Sequence, residues 1–289
     1  MKLSGKARLA GVMAWPVKHS RSPLLHGYWL EHYGIDGAYV PLAVAPEHFA
    51  QALRALGLMG FAGVNVTLPH KEAALQAVDE ATATAQRIGA VNTVTMRPDG
   101  SLLGDNTDAF GFIENLRQSV PGWQPEAGPA LLIGAGGTAR AVAVALLEAG
   151  VPEITIVNRT ASRAEALALK LGTLELGGQI KVGLWLDRAR LLGRAALLVN
   201  TSSQGLAGGP ALELDLAALA PRAIVADVVY TPLQTPLLRD AADRDNPVVD
   251  GLGMLLHQAR PGFGAWFGVA PEVSPELRAL LVADIAGSP

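Results

Sequence analysis

The chain has 289 residues, half of them apolar, so it can hold two domains and bury a sizeable core. A formal charge of -3 leaves no basic stripe for a nucleic acid backbone, and the absence of cysteine removes disulfides, zinc thiolates and thiol nucleophiles together. No stretch reaches membrane-spanning length without a charge or breaker, and residues 1–6 do not lead into a signal-peptide core. The expectation is a cytoplasmic protein with a small-molecule ligand and no nucleic acid, membrane or metal partner; a homodimer is compatible with the chain.

Residues 9–17 form a strand-like apolar run, followed by the turn Lys18-His19-Ser20-Arg21-Ser22 and a helix opened by Pro23 and running to Tyr33. Two serines just before a Pro-initiated helix place hydroxyls and backbone donors where a carboxylate could bind. Ser22 also stands where an N-cap belongs, so capping is the competing reading. Residues 38–44 read as a strand, 46–56 as an amphipathic helix and 63–68 as a strand, a βαβαβ rhythm. In that last strand Asn65 and Thr67 share one face while Val64, Val66 and Leu68 share the other, and Pro69 ends the pairing before His70 and Lys71. Residues 71–88 read as helix in two pieces, 92–96 as a strand, and Pro98-Asp99-Gly100 as a turn leading back to Gly104-Asp105-Asn106-Thr107-Asp108. Asp108 can cap the helix over 109–118 or serve a site.

Three prolines and two glycines between 121 and 129 mark a seam between domains. Directly after it, the buried strand 130–133 runs into Gly134-Ala135-Gly136-Gly137-Thr138-Ala139 and a long alanine-rich helix. This is the strand, turn and helix context of a dinucleotide fingerprint: one glycine for the tight turn, one for backbone approach to the pyrophosphate, and Ala139 for close packing. The next strand, 154–157, ends in Asn158-Arg159-Thr160 with Arg163 a turn further on. Guanidinium groups there suit a 2′-phosphate rather than a bare ribose hydroxyl, which favours NADP over NAD. A helix follows over 161–171, then strands near 180–184, 197–199, 223–229 and 247–249. The turn from Asn200 through Thr201, Ser202 and Ser203 to Gly205 faces the ligand end of such a sheet; Asp227 and Tyr230 read as structural, with Tyr230 also suited as a polar tip at the cofactor edge. Residues 254–267 form a helix expected to break or kink at Pro261 and Gly262, and 275–285 a closing helix capped by Ser274. The histidines have no metal-ligand spacing and read as turn or core residues.

Taken together, the segments 16–23, 65–71, 89–93, 106–108, the Gly134 loop, 158–160 and 251–258 resemble the shikimate dehydrogenase family over nearly the whole chain. The resemblance implies an α/β fold with a mixed-sheet substrate-binding domain, residues 1–108 and 250–289, and a Rossmann-type doubly wound NADP-binding domain, 109–249. It implies Ser20 and Ser22 for a substrate carboxylate, and Asn65, Thr67, Asn92, Asp108 and Gln258 for ring hydroxyls, with Tyr230 at the edge of the site. Lys71 and Asp108 become the catalytic pair. The expected cofactor set is Gly134, Ala135, Gly136, Gly137, Thr138, Ala139, Asn158, Arg159, Thr160, Arg163, Thr201, Ser202, Val228, Gly251 and Met254. The implied reaction is reversible hydride transfer from NADPH to 3-dehydroshikimate, in which an ammonium can stabilise the developing alkoxide. Ala14, Gly27, Ser202 and Ala109 depart from the family's usual residues, and none of these removes a group assigned to chemistry. Rival readings are a paralogue acting on quinate or an amino analogue, a folate dehydrogenase disfavoured by the paired serines, and a catalytically silent NADP-binding regulator.

Overall fold

The computed structural model describes residues 3–287. Two compact units emerge: one takes the chain up to Thr107 together with Gln258–Ala283, the other Asp108–His257 with the C-terminal end from Asp284.

The first unit contains β1 (Arg8–Ala14), α1 (Ser22–His32), β2 (Gly37–Ala43), α2 (Phe49–Leu58), β3 (Phe61–Val66), α3 (Lys71–Ala77), β4 (Glu80–Ala81), α4 (Ala83–Ile88), β5 (Thr93–Met96) and β6 (Leu102–Asp105). Its six-stranded sheet has the order β2-β1-β3-β5-β6-β4. β1 pairs in parallel with β2 and β3, while β5 runs antiparallel to both β3 and β6. The mixed sheet therefore gathers at one end the carboxyl ends of β1, β2, β3 and β6 and the amino end of β5. On one face Phe49, Leu53, Val64, Val66, Ala74, Ala85, Val91 and Leu102 make a continuous apolar core. On the other, a side chain at Gly63 would overlap the Trp266 indole and the Val94 carbonyl, so glycine is what lets that ring lie against the sheet.

The second unit follows with α5 (Asp108–Ser119), β7 (Ala130–Ile133), α6 (Gly137–Ala149), β8 (Glu153–Val157), α7 (Ala161–Gly172), β9 (Gln179–Gly183), α8 (Arg188–Leu191), β10 (Leu197–Asn200), β11 (Ile224–Asp227), α9 (Pro236–Ala242) and β12 (Val248–Val249). Its sheet is entirely parallel in the order β12-β11-β10-β7-β8-β9, the doubly wound arrangement whose reversal of strand order between neighbouring β7 and β10 creates a crevice at the strands' carboxyl ends. β7, β10 and β11 are buried throughout, as expected for strands covered on both faces. Two helices, α10 (Gly251–Phe267) and α11 (Pro275–Gly287), complete the chain.

Local expectations fail in instructive places. α10 begins at Gly251 and runs unbroken through Pro261 and Gly262. The small Gly262 packs against the Trp266 ring, where an added side chain would come within 2.9 Å of it, so close packing outweighs the helix-breaking tendency of the pair. Ser22 is the first residue of α1 rather than its cap; Arg21 occupies that position, and the Ser22 N–H instead donates to Ser20 Oγ at 3.3 Å. Asp108 likewise is the first residue of α5. Helix α9 has no counterpart in the sequence reading; it is capped by Thr235, whose Oγ1 accepts from the Leu238 N–H at 3.3 Å.

Candidate active site

In the first unit, polar residues from distant parts of the sequence, from Ser20 to Gln258, converge on the gathered end of the sheet. Ser20 lies in the turn after β1. Thr67 follows β3 and is held against β1 by its N–H, which donates to the Met13 carbonyl at 3.0 Å. Lys71 opens α3, and the residue before it is anchored: His70 is buried, stacks on Phe49 at 4.5 Å and donates from Nε2 to the Val44 carbonyl at 2.8 Å. Because a carbonyl only accepts, that contact fixes the tautomer. Burial lowers the His70 pKa, partly opposed by the bond to Val44, so the ring is a neutral structural post beside the lysine.

Asn92 and Asn65 sit on a buried hydrogen-bond network. Asn92 Oδ1 accepts from the Thr107 N–H at 2.8 Å, the Thr107 hydroxyl at 3.1 Å and the Thr93 hydroxyl at 2.9 Å. Its Nδ2 donates to Gln258 Oε1 at 3.4 Å, which brings α10 to the same place. Asn65 Nδ2 donates to the Asn92 carbonyl at 3.2 Å and to Thr93 Oγ1 at 3.1 Å, while its Oδ1 accepts from the Tyr39 hydroxyl at 2.7 Å. Buried Tyr39 also reaches the Ser22 side chain; burial pushes its pKa well above the ordinary phenol value, so it stays protonated. The structure thus brings Ser20, Ser22, Asn65, Thr67, Lys71, Asn92 and Gln258 to one end of one sheet. Asp108, also buried, is the next residue along the chain from Thr107 and belongs to the second unit.

Tyr39, Thr93 and Thr107 were not assigned from sequence. Thr107 stood in a conspicuous polar run, but Tyr39 carries no local signal. It reaches Asn65 diagonally over β1, where Ala10 stands opposite Tyr39 and Val12 opposite Asn65.

In the second unit the glycine loop lies at the carboxyl end of β7. Gly134 has φ +117°, and an added Cβ would stand 2.7 Å from Thr201 Oγ1, so both conformation and space demand glycine. Around Gly136 and Gly137 an added Cβ would meet nothing within 4 Å, which leaves the amino end of α6 open to a ligand. Ala139 is fully buried against the sheet. Thr201 closes the floor, its N–H and hydroxyl both donating to the Ile133 carbonyl at 2.8 and 2.9 Å. Open backbone donors at a helix amino terminus and a cradle that admits no side chain fit a dinucleotide pyrophosphate. At the end of neighbouring β8, Asn158 Nδ2 folds back on the Thr160 carbonyl at 2.8 Å, and Arg159, Thr160 and Arg163 are exposed.

On the other side of β7, Asn200 organises the predicted turn. Its Oδ1 accepts from the Ser202 N–H and hydroxyl, and its Nδ2 donates to the Gln204 carbonyl and to Asp227 Oδ1, both at 2.9 Å. The Ser202 hydroxyl is therefore engaged in the turn. Asp227 resolves as structural: it also accepts from the Val229 N–H at 3.0 Å and the Thr235 hydroxyl at 2.8 Å. Burial raises its pKa to about 6 against these opposing bonds. Val228 and Tyr230 are half-buried beyond β11, and Met254 is buried. A side chain at Gly251 would collide with the Val228 carbonyl, so the start of α10 lies directly on that strand end. His257 pairs through Nε2 with Gln118 Oε1 at 2.7 Å. No group of three or more histidines and carboxylates able to hold a metal occurs among the described residues, and no helix there is long and apolar enough to cross a membrane.

Comparison with known proteins adds independent findings. Family models match residues 12–94, as the shikimate dehydrogenase substrate binding domain, and residues 120–179, as shikimate / quinate 5-dehydrogenase. The chain is 60% identical to the shikimate dehydrogenase (NADP(+)) of Paramagnetospirillum magneticum over 97% of its own length and 100% of that relative. Among solved structures, the Thermus thermophilus shikimate 5-dehydrogenase in complex with NADP(H) and shikimate aligns with a TM-score of 0.83 at 39% identity, covering 96% of this chain and 99% of that one. The quinate dehydrogenase of Corynebacterium glutamicum in complex with NAD aligns with a TM-score of 0.89 at 29% identity, covering 96% and 99%.

Proposed function

The chain belongs to the shikimate dehydrogenase family, and we propose on that premise that it catalyses the reversible NADPH-dependent reduction of 3-dehydroshikimate to shikimate. The observation that carries this reading is the convergence of Ser20, Ser22, Asn65, Thr67, Lys71, Asn92 and Gln258 on one sheet end, over a layer of buried polar groups already hydrogen-bonded to one another. A polyhydroxylated ring acid needs this kind of surface: hydroxyls for its carboxylate, amides for its ring hydroxyls and a cation for the reacting oxygen.

Residues 1–108 and 250–289 form the substrate-binding part in this reading, and 109–249 the NADP-binding part. NADPH, when bound, supplies the hydride. Gly134 to Ala139 hold its pyrophosphate, and Arg159, Thr160 and Arg163 its 2′-phosphate. Lys71 places an ammonium where an alkoxide develops, lowering the barrier by charge stabilisation and offering a proton to the oxygen. Asp108 orients that ammonium. Ser20 and Ser22 bind the carboxylate and so fix which ring carbon is presented.

The similarity to a quinate dehydrogenase in complex with NAD supports a second reading, a quinate enzyme using NAD. The arginine at 159, where an acid would suit a ribose hydroxyl, favours NADP and the first reading. Oxidation of NADPH followed with 3-dehydroshikimate and 3-dehydroquinate in parallel separates them: turnover is expected with the first. No turnover with it, in a preparation that binds NADPH, overturns the assignment.

A further inference from the structure

Asn65 is a buried polar side chain at the substrate end of the first sheet, and its hydrogen bonds determine what it can offer a ligand. A backbone carbonyl can only accept, so the amide group facing the Asn92 carbonyl at 3.2 Å must be the nitrogen. The second N–H is spent on Thr93 Oγ1 at 3.1 Å. Both amide hydrogens are thus committed to the fold, and Oδ1 is left to face Tyr39, which must donate to it, at 2.7 Å. What remains for a ligand is the second lone pair of Oδ1.

The group imposing this orientation is itself held rigidly. Tyr39 is buried, and its ring lies flat on His26 with centroids 3.9 Å apart and planes 2° from parallel. His26 is fully buried, and neither of its ring nitrogens has a hydrogen-bond partner among the described residues. A histidine kept in so apolar a place spends its polarity for nothing there except its flat face. The Tyr39 hydroxyl also meets Ser22 on α1, so one oxygen joins a residue at the carboxylate end of the proposed site to one at the hydroxyl end.

We propose that Tyr39 is a positioning residue: its phenol locks the Asn65 amide in one orientation, so that Asn65 meets the substrate only as an acceptor and reads a ring hydroxyl that keeps its proton throughout the reaction. The reacting oxygen cannot be its target, because that oxygen becomes a ketone, an acceptor, and two acceptors repel. This inference rests on the proposed shikimate dehydrogenase activity.

The test is a double-mutant cycle of Tyr39→Phe and Asn65→Ala, reading kcat and the KM values for shikimate and NADP+. Tyr39→Phe alone is expected to raise KM for shikimate about tenfold, as losing one buried hydrogen bond would, with kcat changed less than about threefold and KM for NADP+ unchanged. The double variant should be no worse than Asn65→Ala alone, since Tyr39 acts through that amide. Losses that multiply, or a rise in both KM values, overturn the inference. If Tyr39→Phe does not fold, Thr93→Val, which removes the oxygen holding the other side of the same amide, takes its place with the same two outcomes. A wild-type protein that fails to turn over shikimate overturns the functional reading and this inference with it. Active wild type with multiplicative variants overturns the inference alone.

Discussion

The two sheets present ligand-binding ends by opposite means. The mixed sheet of the first unit places long polar side chains at its end and cross-braces them: Asn65, Asn92, Thr93, Thr107 and Tyr39 form one hydrogen-bonded layer. The parallel sheet of the second unit clears side chains away at Gly134, Gly136 and Gly137 and offers backbone. In the proposed function, the difference follows from what each end binds. A ring with several hydroxyls must be read group by group, which takes side chains in fixed orientations, whereas a pyrophosphate needs close approach and a helix amino terminus.

This contrast can be broken from either side. The largest effect belongs to Lys71→Ala, expected to lower kcat about 1,000-fold with KM for shikimate changed little, as for an interaction made mainly in the transition state. Steady-state kinetics decide it, and comparable losses in both parameters would remove the transition-state role.

Next is Asp227, the buried carboxylate bracing the Asn200 turn. Its folded pKa of about 6 lies above its ordinary value of 3.8. A raised carboxyl pKa means that its contribution to stability is complete below about pH 4 and is lost as pH rises through 6, by about 3 kcal/mol in total. Asp227→Asn cannot ionise and should abolish that dependence. Melting temperatures of both proteins from pH 4 to 7 check it: the difference between variant and wild type should move in the variant's favour as pH rises, and a constant difference would sink the idea.

On the backbone side, Gly134→Ala forces a side chain onto φ +117° and against Thr201. It should weaken NADP+ binding about 30-fold, the equivalent of ~2 kcal/mol, and leave shikimate binding intact. Fluorescence titration with each ligand separates the two. The smallest effect is that of Arg159→Ala: loss of a charge-assisted contact to a 2′-phosphate should cost about tenfold in NADP+ affinity and nothing in NAD+ affinity. An equal loss for both would show that Arg159 does not read the phosphate.

What the amino-acid order determined alone was whatever depends on near neighbours. The Gly134 loop between a buried strand and an alanine-rich helix announces its geometry because the glycines, Ala139 and the helix start lie within six residues. The alternation of Asn65 and Thr67 with Val64 and Val66 predicts faces for the same reason. Local reasoning fails where packing outvotes propensity: Pro261 sits within a continuous helix because Gly262 and Trp266 pack closely, and Ser22 lies inside α1 while Ser20 receives its N–H. The connections within the bracing layer lie beyond the sequence's reach, although Asn65 and Asn92 are themselves nominated by it. Tyr39 and Asn65 are 26 residues apart and meet diagonally across the intervening strand β1. Residue type and spacing could nominate the groups that touch a ligand. Only the strand order and register, which bring distant residues to one sheet end, decide which buried partners hold those groups in place and so which of their hydrogen-bonding faces a ligand meets.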